Sequence, residues 1–374
     1  MRRTAGSWLA VGIAWIALTL AGCGGGSTPP PFGLTSRPVN ATCNKPATPD
    51  GMPQKLSATG CFDPQDPKRP AAGLIPYDVV TPLWSDGAAK GRWFALPEGS
   101  TIHVKDCARE PDTCKPVTMG GTPTDEGDWD FPVGTVLVKT FGFGDALVET
   151  RLLIRFNQYN WAGFSYEWDA AQTDATLLAD NVEGYIKSVP AGAGQQLWHF
   201  PSRAQCLQCH TDAAGVALGP ETRNLNADFV YPSGHASNQV ATLSHIGLFD
   251  NAPATLPAYP SPTDTTVTVE QRARSYMQEN CAICHRPAGN FESMDFRFST
   301  ALADMKLCNA APEKGEAGVP GSLRLVPGDP SKSLVSIRMH RLDQSRMPHI
   351  GSRVVDPLGT SLVDQWVTGI AACP

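Results

Sequence analysis

Cys281-Ala282-Ile283-Cys284-His285 is a C-x-x-C-H run, and Cys206-Leu207-Gln208-Cys209-His210 matches it earlier in the chain. Each thiol of such a run can add across one vinyl group of a haem. Two thioethers then hold the macrocycle, and the adjacent histidine is placed to ligate the iron from one face. Two runs predict two haem c groups, with Cys206, Cys209, Cys281 and Cys284 as thioether residues and His210 and His285 as iron ligands. Two plainer readings compete. A thioredoxin-like redox pair needs a βαβ context and makes no use of the histidine. A structural zinc site usually sets its two pairs within about 15–20 residues, whereas turns and apolar runs separate these.

A six-coordinate haem needs a ligand on its other face, commonly Met or a second His. For the second motif the choice falls on Met347, in Arg346-Met347-Pro348. Proline cannot continue a helix, so the Met is presented from a rigid loop, and a thioether raises the haem's potential. Met339 and His340 are the nearby alternatives, and a gap-filling core Met is the plain reading. The first motif has no Met after it until Met277. His199, His235, His245 and Met277 are candidates, and an open coordination position is a further option. His245, at the end of an expected helix stopping near Gly247, is preferred.

The chain opens with Met1-Arg2-Arg3, an apolar run from Trp8 to about Leu20, and Leu20-Ala21-Gly22-Cys23. This is the layout of a signal peptide over residues 1–22, too short to span a bilayer. Its last four residues resemble the lipobox of bacterial lipoproteins, which implies a lipidated Cys23, with Gly24 permitting sorting to the outer membrane. An ordinary secretory signal with a chance cysteine is the alternative. Residues 23–60, rich in Gly, Pro and Thr, are expected to form a lipid-anchored flexible tether.

Eleven cysteines suit an oxidising compartment. With Cys23 and the four motif cysteines set aside, Cys43, Cys61, Cys107, Cys114, Cys308 and Cys373 remain, an even number that suggests disulfides. Fifteen pairings are possible; the simplest joins sequence neighbours as Cys43–Cys61, Cys107–Cys114 and Cys308–Cys373. The formal net charge is −6, and removing Arg2 and Arg3 takes it to −8, because residues 1–22 hold no Asp or Glu. No basic block argues for nucleic acid. An acidic surface suits a basic redox partner protein.

Residues 61–195 read as a β-rich domain, sandwich-like or barrel-like. Short β-branched and aromatic runs at 91–96, 135–141, 149–156 and 163–168 are punctuated by turns. Its tryptophans are expected in the core, and Asp86, Glu98, Asp128 and Asp130 read as turn residues. Residues 196–262 form the first haem segment and 263–374 the second haem domain. A helix carrying Val269, Ala273, Tyr276 and Met277 on one face runs into Cys281. Another, with Leu358, Leu362, Val363, Trp366, Val367 and Ile370, closes the chain. Trp366 is expected against Tyr276.

Helix, Cys281–His285, a Met347-Pro348 loop and a terminal amphipathic helix together resemble a class I cytochrome c domain over residues 269–373. The whole chain resembles a family of bacterial diheme c-type cytochromes. That resemblance rests on Pro82-Leu83-Trp84-Ser85-Asp86-Gly87, Phe131-Pro132-Val133-Gly134-Thr135 and Pro201-Ser202-Arg203 before the first motif. It implies an all-α cytochrome c-like region behind the β-rich domain. It also implies a periplasm-facing lipoprotein of the cell envelope, on the outer membrane or cell surface, passing single electrons to a partner protein. A diheme peroxidase-like enzyme with one open haem, or the electron-accepting subunit of a membrane-associated dehydrogenase, are the alternatives.

Overall fold

Alternation along residues 136–141 organises the molecule. In the computed structural model, which describes residues 31–107, 109–110, 114, 127–251, 253 and 255–374, these residues lie in a six-stranded antiparallel sheet. Val136 and Val138 point to one face, and Leu137, Lys139 and Phe141 to the other, as a side-chain period of two requires. Strands β1 (Phe62–Asp63) and β2 (Asp66–Pro70) form a small ribbon. The main sheet uses β3 (Ile75–Pro76), β4 (Ala89–Ala95), β7 (Val136–Phe143), β8 (Ala146–Arg155), β9 (Trp161–Trp168) and β10 (Ala175–Leu177), in the order β10-β9-β8-β7-β4-β3. Between them in sequence, β5 (His103–Val104) pairs with β6 (Trp129–Asp130). The hairpin of β11 (Tyr185–Ala191) and β12 (Gly194–Phe200) follows.

One face of the sheet is dry. Val136, Val138, Leu152, Ile154, Phe164, Tyr166 and Trp168 pack there with Cys43, Met52 and Leu56. The last three come from the stretch expected to be a tether, and residues 31–60 correct that expectation. They run along the folded body, bonded by Cys43–Cys61, by Arg37 donating to the Pro97 and Ser100 carbonyls, and by Asn40 donating to Leu96. Prolines make such a segment extended, but three buried apolar side chains and a disulfide make it adhere. Cys23 and the signal peptide lie outside the described residues.

The opposite face is graded. The row Phe94, Leu137 and Leu153 is apolar and joins a second core with Trp129, Leu225 and Leu243. Helices α2 (Thr222–Leu225) and α3 (Gln239–His245) close over that end, with a short hairpin of β13 (Asp228–Val230) and β14 (Ala236–Asn238) between them. Helix α1 (Arg203–Cys209) packs on β9.

The C-terminal part holds α4 (Val269–Asn280), α5 (Leu334–Ile337) and α6 (Pro357–Gly369). Helices α4 and α6 pack together, and Ala273, Tyr276, Met277, Leu362, Val363 and Trp366 share a third core. Tyr276 and Trp366 both belong to it, and the Tyr276 ring lies where a side chain on Gly359 would sit, its Cζ 2.2 Å from an ideal Cβ.

The expected all-α cytochrome c-like region is not what the chain forms. Residues 196–374 contain the end of β12, a β-hairpin and short helices joined by long irregular stretches, and no α-helix lies between Asn280 and Leu334. Prolines 312, 320, 327 and 330, with Gly315, Gly318, Gly321 and Gly328 all at positive φ, prevent helix there. Parallel bridges Cys308–Leu325 and Leu323–Ser333 and the Cys308–Cys373 disulfide hold the stretch instead. Residues 31–374 form one compact unit.

Candidate functional site

The first motif is built on α1. Ser202 caps the helix, its hydroxyl accepting from the Gln205 N–H while the Gln205 side chain accepts from the Ser202 N–H, a reciprocal capping box. Cys206 and Cys209, three residues apart, share one helix face. Gly163 on β9 lets that face come close: a Cβ there would lie 2.7 Å from Cys206 Sγ. His210 ends the helix, its N–H donating to Cys206 O at 3.0 Å. Its Nδ1 lies 2.6 Å from the Val216 carbonyl. A carbonyl only accepts, so Nδ1 carries the proton and Nε2 keeps its lone pair. Val216 has φ 59°, unusual for a β-branched residue, at a cost of roughly 1–3 kcal/mol. That bend aims its carbonyl at His210.

The second motif follows α4 as a turn. Cys281 N–H donates to Met277 O, and the Cys284 and His285 amides donate back to Cys281 O at 3.1 and 2.9 Å. Asn280 ties this turn to the loop between β3 and β4, accepting from the Trp84 N–H at 2.7 Å and donating to Pro82 O. The His285 ring sits 5.3 Å from Phe291 and 5.4 Å from Phe296.

Distant in sequence, the two motifs touch. Asn290 donates to Gln208 O at 2.7 Å, Arg286 donates to Ala213 O at 2.8 Å, and the Cys209 and Cys284 thiols are hydrogen-bonded. Both motifs line one cavity of about 290 Å³, near the lower end of the ~300–1,000 Å³ typical of small-molecule sites. Met347, His349 and Met339 lie on its wall. Met347 is held by its N–H donating to Arg338 O at 2.9 Å. The 353–354 backbone is pinned by Asp86, whose buried carboxylate accepts from the Arg353 and Val354 amides at 2.8–3.0 Å. In sequence, Asp86 reads as a turn residue. It does turn the chain, at φ 55°, but its carboxylate holds a segment far along the chain.

His245 is a correction. It is exposed at the end of α3, stacked 4.1 Å from Phe32, and does not line the cavity. The tether, once folded back, brings Phe32 to that ring. Nor do the other first-motif candidates reach the cavity wall. His235 is half-buried, His199 is hydrogen-bonded to Gln205, and Met277 is core. His340 pairs with Asp364 at 2.9 Å, also away from the cavity.

Burial pushes His210 down to about 3, helped by Lys139, and His285 down to about 4, helped by His349 and Arg324. Both imidazoles are therefore neutral, the form that ligates metal. Burial raises the Cys206 thiol to about 11 and Cys281 to about 12. Cys209 is raised, first by its hydrogen bond with Cys284 and then by burial, and the same bond lowers Cys284. Thiols that ionise late are poor exchange nucleophiles, which argues against a redox dithiol at Cys206 and Cys209. The other six described cysteines form Cys43–Cys61, Cys107–Cys114 and Cys308–Cys373, and the four motif cysteines alone are free. Among the described residues no three His, Cys, Asp or Glu side chains converge as a metal cage. A covalently anchored haem asks for less: two free thiols, an adjacent neutral imidazole with its far nitrogen open, and an apolar-walled cavity. The residues present fit that requirement.

Comparison of the chain with protein-family models, with curated proteins and with solved structures finds no match. The functional reading therefore rests on the site.

Proposed function

We propose that this chain is a diheme c-type cytochrome that carries single electrons in the bacterial cell envelope, anchored there by lipid on Cys23. The observation that carries the reading is the meeting of both C-x-x-C-H motifs, with the only free thiols among the described residues, on one cavity. Each haem, once attached, supplies a one-electron iron couple. The chain's own residues do the rest. Cys206 and Cys209 hold one macrocycle and Cys281 and Cys284 the other. His210, oriented by Val216, and His285, walled by Phe291 and Phe296, present imidazole nitrogen. Met347 offers a thioether for the second group. Because Cys209 and Cys284 are neighbours, the two groups would be attached close together, which favours transfer between them. The donor and acceptor are separate redox partner proteins. No helix of the described residues is long and apolar enough to cross a membrane.

The test is pyridine haemochrome quantification of the purified mature protein, with two haems per chain expected. A colourless protein, or zinc in place of haem, removes the reading. Met347→Ala should abolish the weak sulfur-to-iron band at the red end of the oxidised spectrum. Persistence of that band excludes Met347.

A second reading, an enzyme with an open iron at the first haem, draws on one observation: His199, His235, His245 and Met277 all lie off the cavity wall. Carbon monoxide added to the reduced protein should then shift the Soret band; an unmoved band counts against it.

A further inference from the structure

The cavity's floor is a sheet face with an unusual row of charge. Arg92 on β4 is directly opposite Lys139 on β7, and Lys139 is directly opposite Arg151 on β8. Lys90, two residues before Arg92, shares the face by the two-residue period. All four line the cavity beside Cys206, Cys209 and His210. Like charges set opposite one another on neighbouring strands destabilise a sheet, so such a row needs compensation.

Half of it is compensated within the protein. Arg92 pairs with Asp78 at 2.5 Å, and Arg151 with Glu149 at 2.8 Å. The two lysines are not. Lys139 Nζ donates to the Leu218 carbonyl at 3.1 Å, and Lys90 Nζ to the Leu83 carbonyl. Among the described residues neither ammonium has a carboxylate at ion-pair distance. Glu279, on the wall of the same cavity, bears on Lys139 from farther off. A carbonyl takes one of an ammonium's three hydrogens, which leaves each lysine with donors to spare. Each keeps part of its surface accessible, and both line the cavity. Burial lowers Lys139 to about 8 and Lys90 well below its usual range, so an anion bound beside them would favour their charged forms.

We propose that Lys90 and Lys139 are the binding site for the two propionate carboxylates of the haem attached at Cys206 and Cys209. This rests on the haem reading above and adds to it the orientation of that group: propionates toward the β4–β7–β8 floor. Arg151, close to both Cys206 and Cys209, and Lys139, close to His210, put this charge beside the first motif. Two ammonium groups with no carboxylate at ion-pair distance among the described residues match two carboxylates in number and in sign.

The experiment uses the full, haem-loaded chain and the variants Lys90→Met, Lys139→Met and the double variant, with Lys→Arg controls. Three quantities are read: haem stoichiometry, both reduction potentials by spectroelectrochemical titration, and the propionate bending bands in resonance Raman. Two haems should remain, because the thioethers are untouched. One potential should fall, since losing a cation favours the ferric state, while the other stays in place. The propionate bands of that haem should shift, and Lys→Arg should restore both signals. Unchanged potentials and bands in a folded double variant overturn the proposal. So does a fallen potential with unmoved bands, which would make the lysines distant charges only, with a free anion as their occupant. If the double variant does not fold, the single variants decide by the same criteria. A wild-type protein without covalent haem overturns the parent reading, and is told apart because it appears before any variant is made.

Discussion

Asp86→Ala tests how the Met347 segment is held. The native carboxylate is 3% exposed and accepts from the backbone amides of Arg353 and Val354, at 2.8, 2.9 and 3.0 Å. A hydrogen bond to a charged group is worth about 1.5–3 kcal/mol net. Two amides lose their acceptor, and alanine must take up Asp86's φ of 55°, at a further cost of about 1 kcal/mol. Against this stands relief from burying the carboxylate, whose proton affinity burial raises despite the amides. The balance is a loss of about 3 kcal/mol. With a urea slope of about 3 kcal/mol/M at the upper end of the small-protein range, the midpoint falls by about 1 M. Because residues 353–354 follow the Met347 loop, the sulfur-to-iron band should weaken at denaturant concentrations where far-ultraviolet circular dichroism is still native. Asp86→Asn keeps one acceptor oxygen and suits positive φ, so it should lose about 1 kcal/mol and retain the band. Should Asp86→Ala leave both midpoint and band at their wild-type values, the clamp has no role and the account of this loop is wrong.

Three further outcomes follow from the geometry. Removing Cys308–Cys373, whose separation is 65 residues, should cost about 4 kcal/mol by loop entropy, whereas removing Cys107–Cys114, separated by 7, should cost about 2; urea midpoints of the two double-serine variants give the order. Gly163→Ala sets a Cβ 2.7 Å from Cys206 Sγ, so haem stoichiometry should fall from two toward one, and an unchanged count would show that α1 gives way easily. Glu279 is raised by burial to about 7 from its ordinary 4.5. The folded state therefore binds more protons than the unfolded one between those values, and stability should fall as pH rises from about 4.5 to about 7, by up to about 3 kcal/mol. Glu279→Gln should flatten that slope, and chemical denaturation at several pH values measures it.

What the chain's local chemistry could announce, it did. The apolar spacing around Ala273 and Tyr276, and from Leu358 to Ile370, marks helices that the structure forms as Val269–Asn280 and Pro357–Gly369. The β-branched runs mark strands, and sequence-neighbour pairing of six cysteines matches the three disulfides present. Such signals depend on residues within a few positions of one another, so they survive without knowledge of the fold.

Three features did not survive that limit. Residues 31–60 look like a solvated linker because prolines and threonines dominate, yet Cys43, Met52 and Leu56 are buried against the sheet. The region after residue 196 was expected to be helical because its two best helices are legible, while the proline- and glycine-rich chain between them goes its own way. His245 looked like a ligand because it was a histidine at a suitable distance in sequence, and its ring instead meets Phe32.

By itself, then, the sequence determined which atoms are available: two C-x-x-C-H runs, a Met-Pro loop, alternating strands and amphipathic helices. Only the tertiary structure decided that the two runs meet at Cys209 and Cys284, that Val216 orients His210, and that Arg92, Lys139 and Arg151 stand abreast under the same cavity. Motif chemistry is carried by covalent neighbours and is read directly. Contacts between residues far apart along the chain depend on strand register and on burial shared across the whole fold, which no local window of sequence contains.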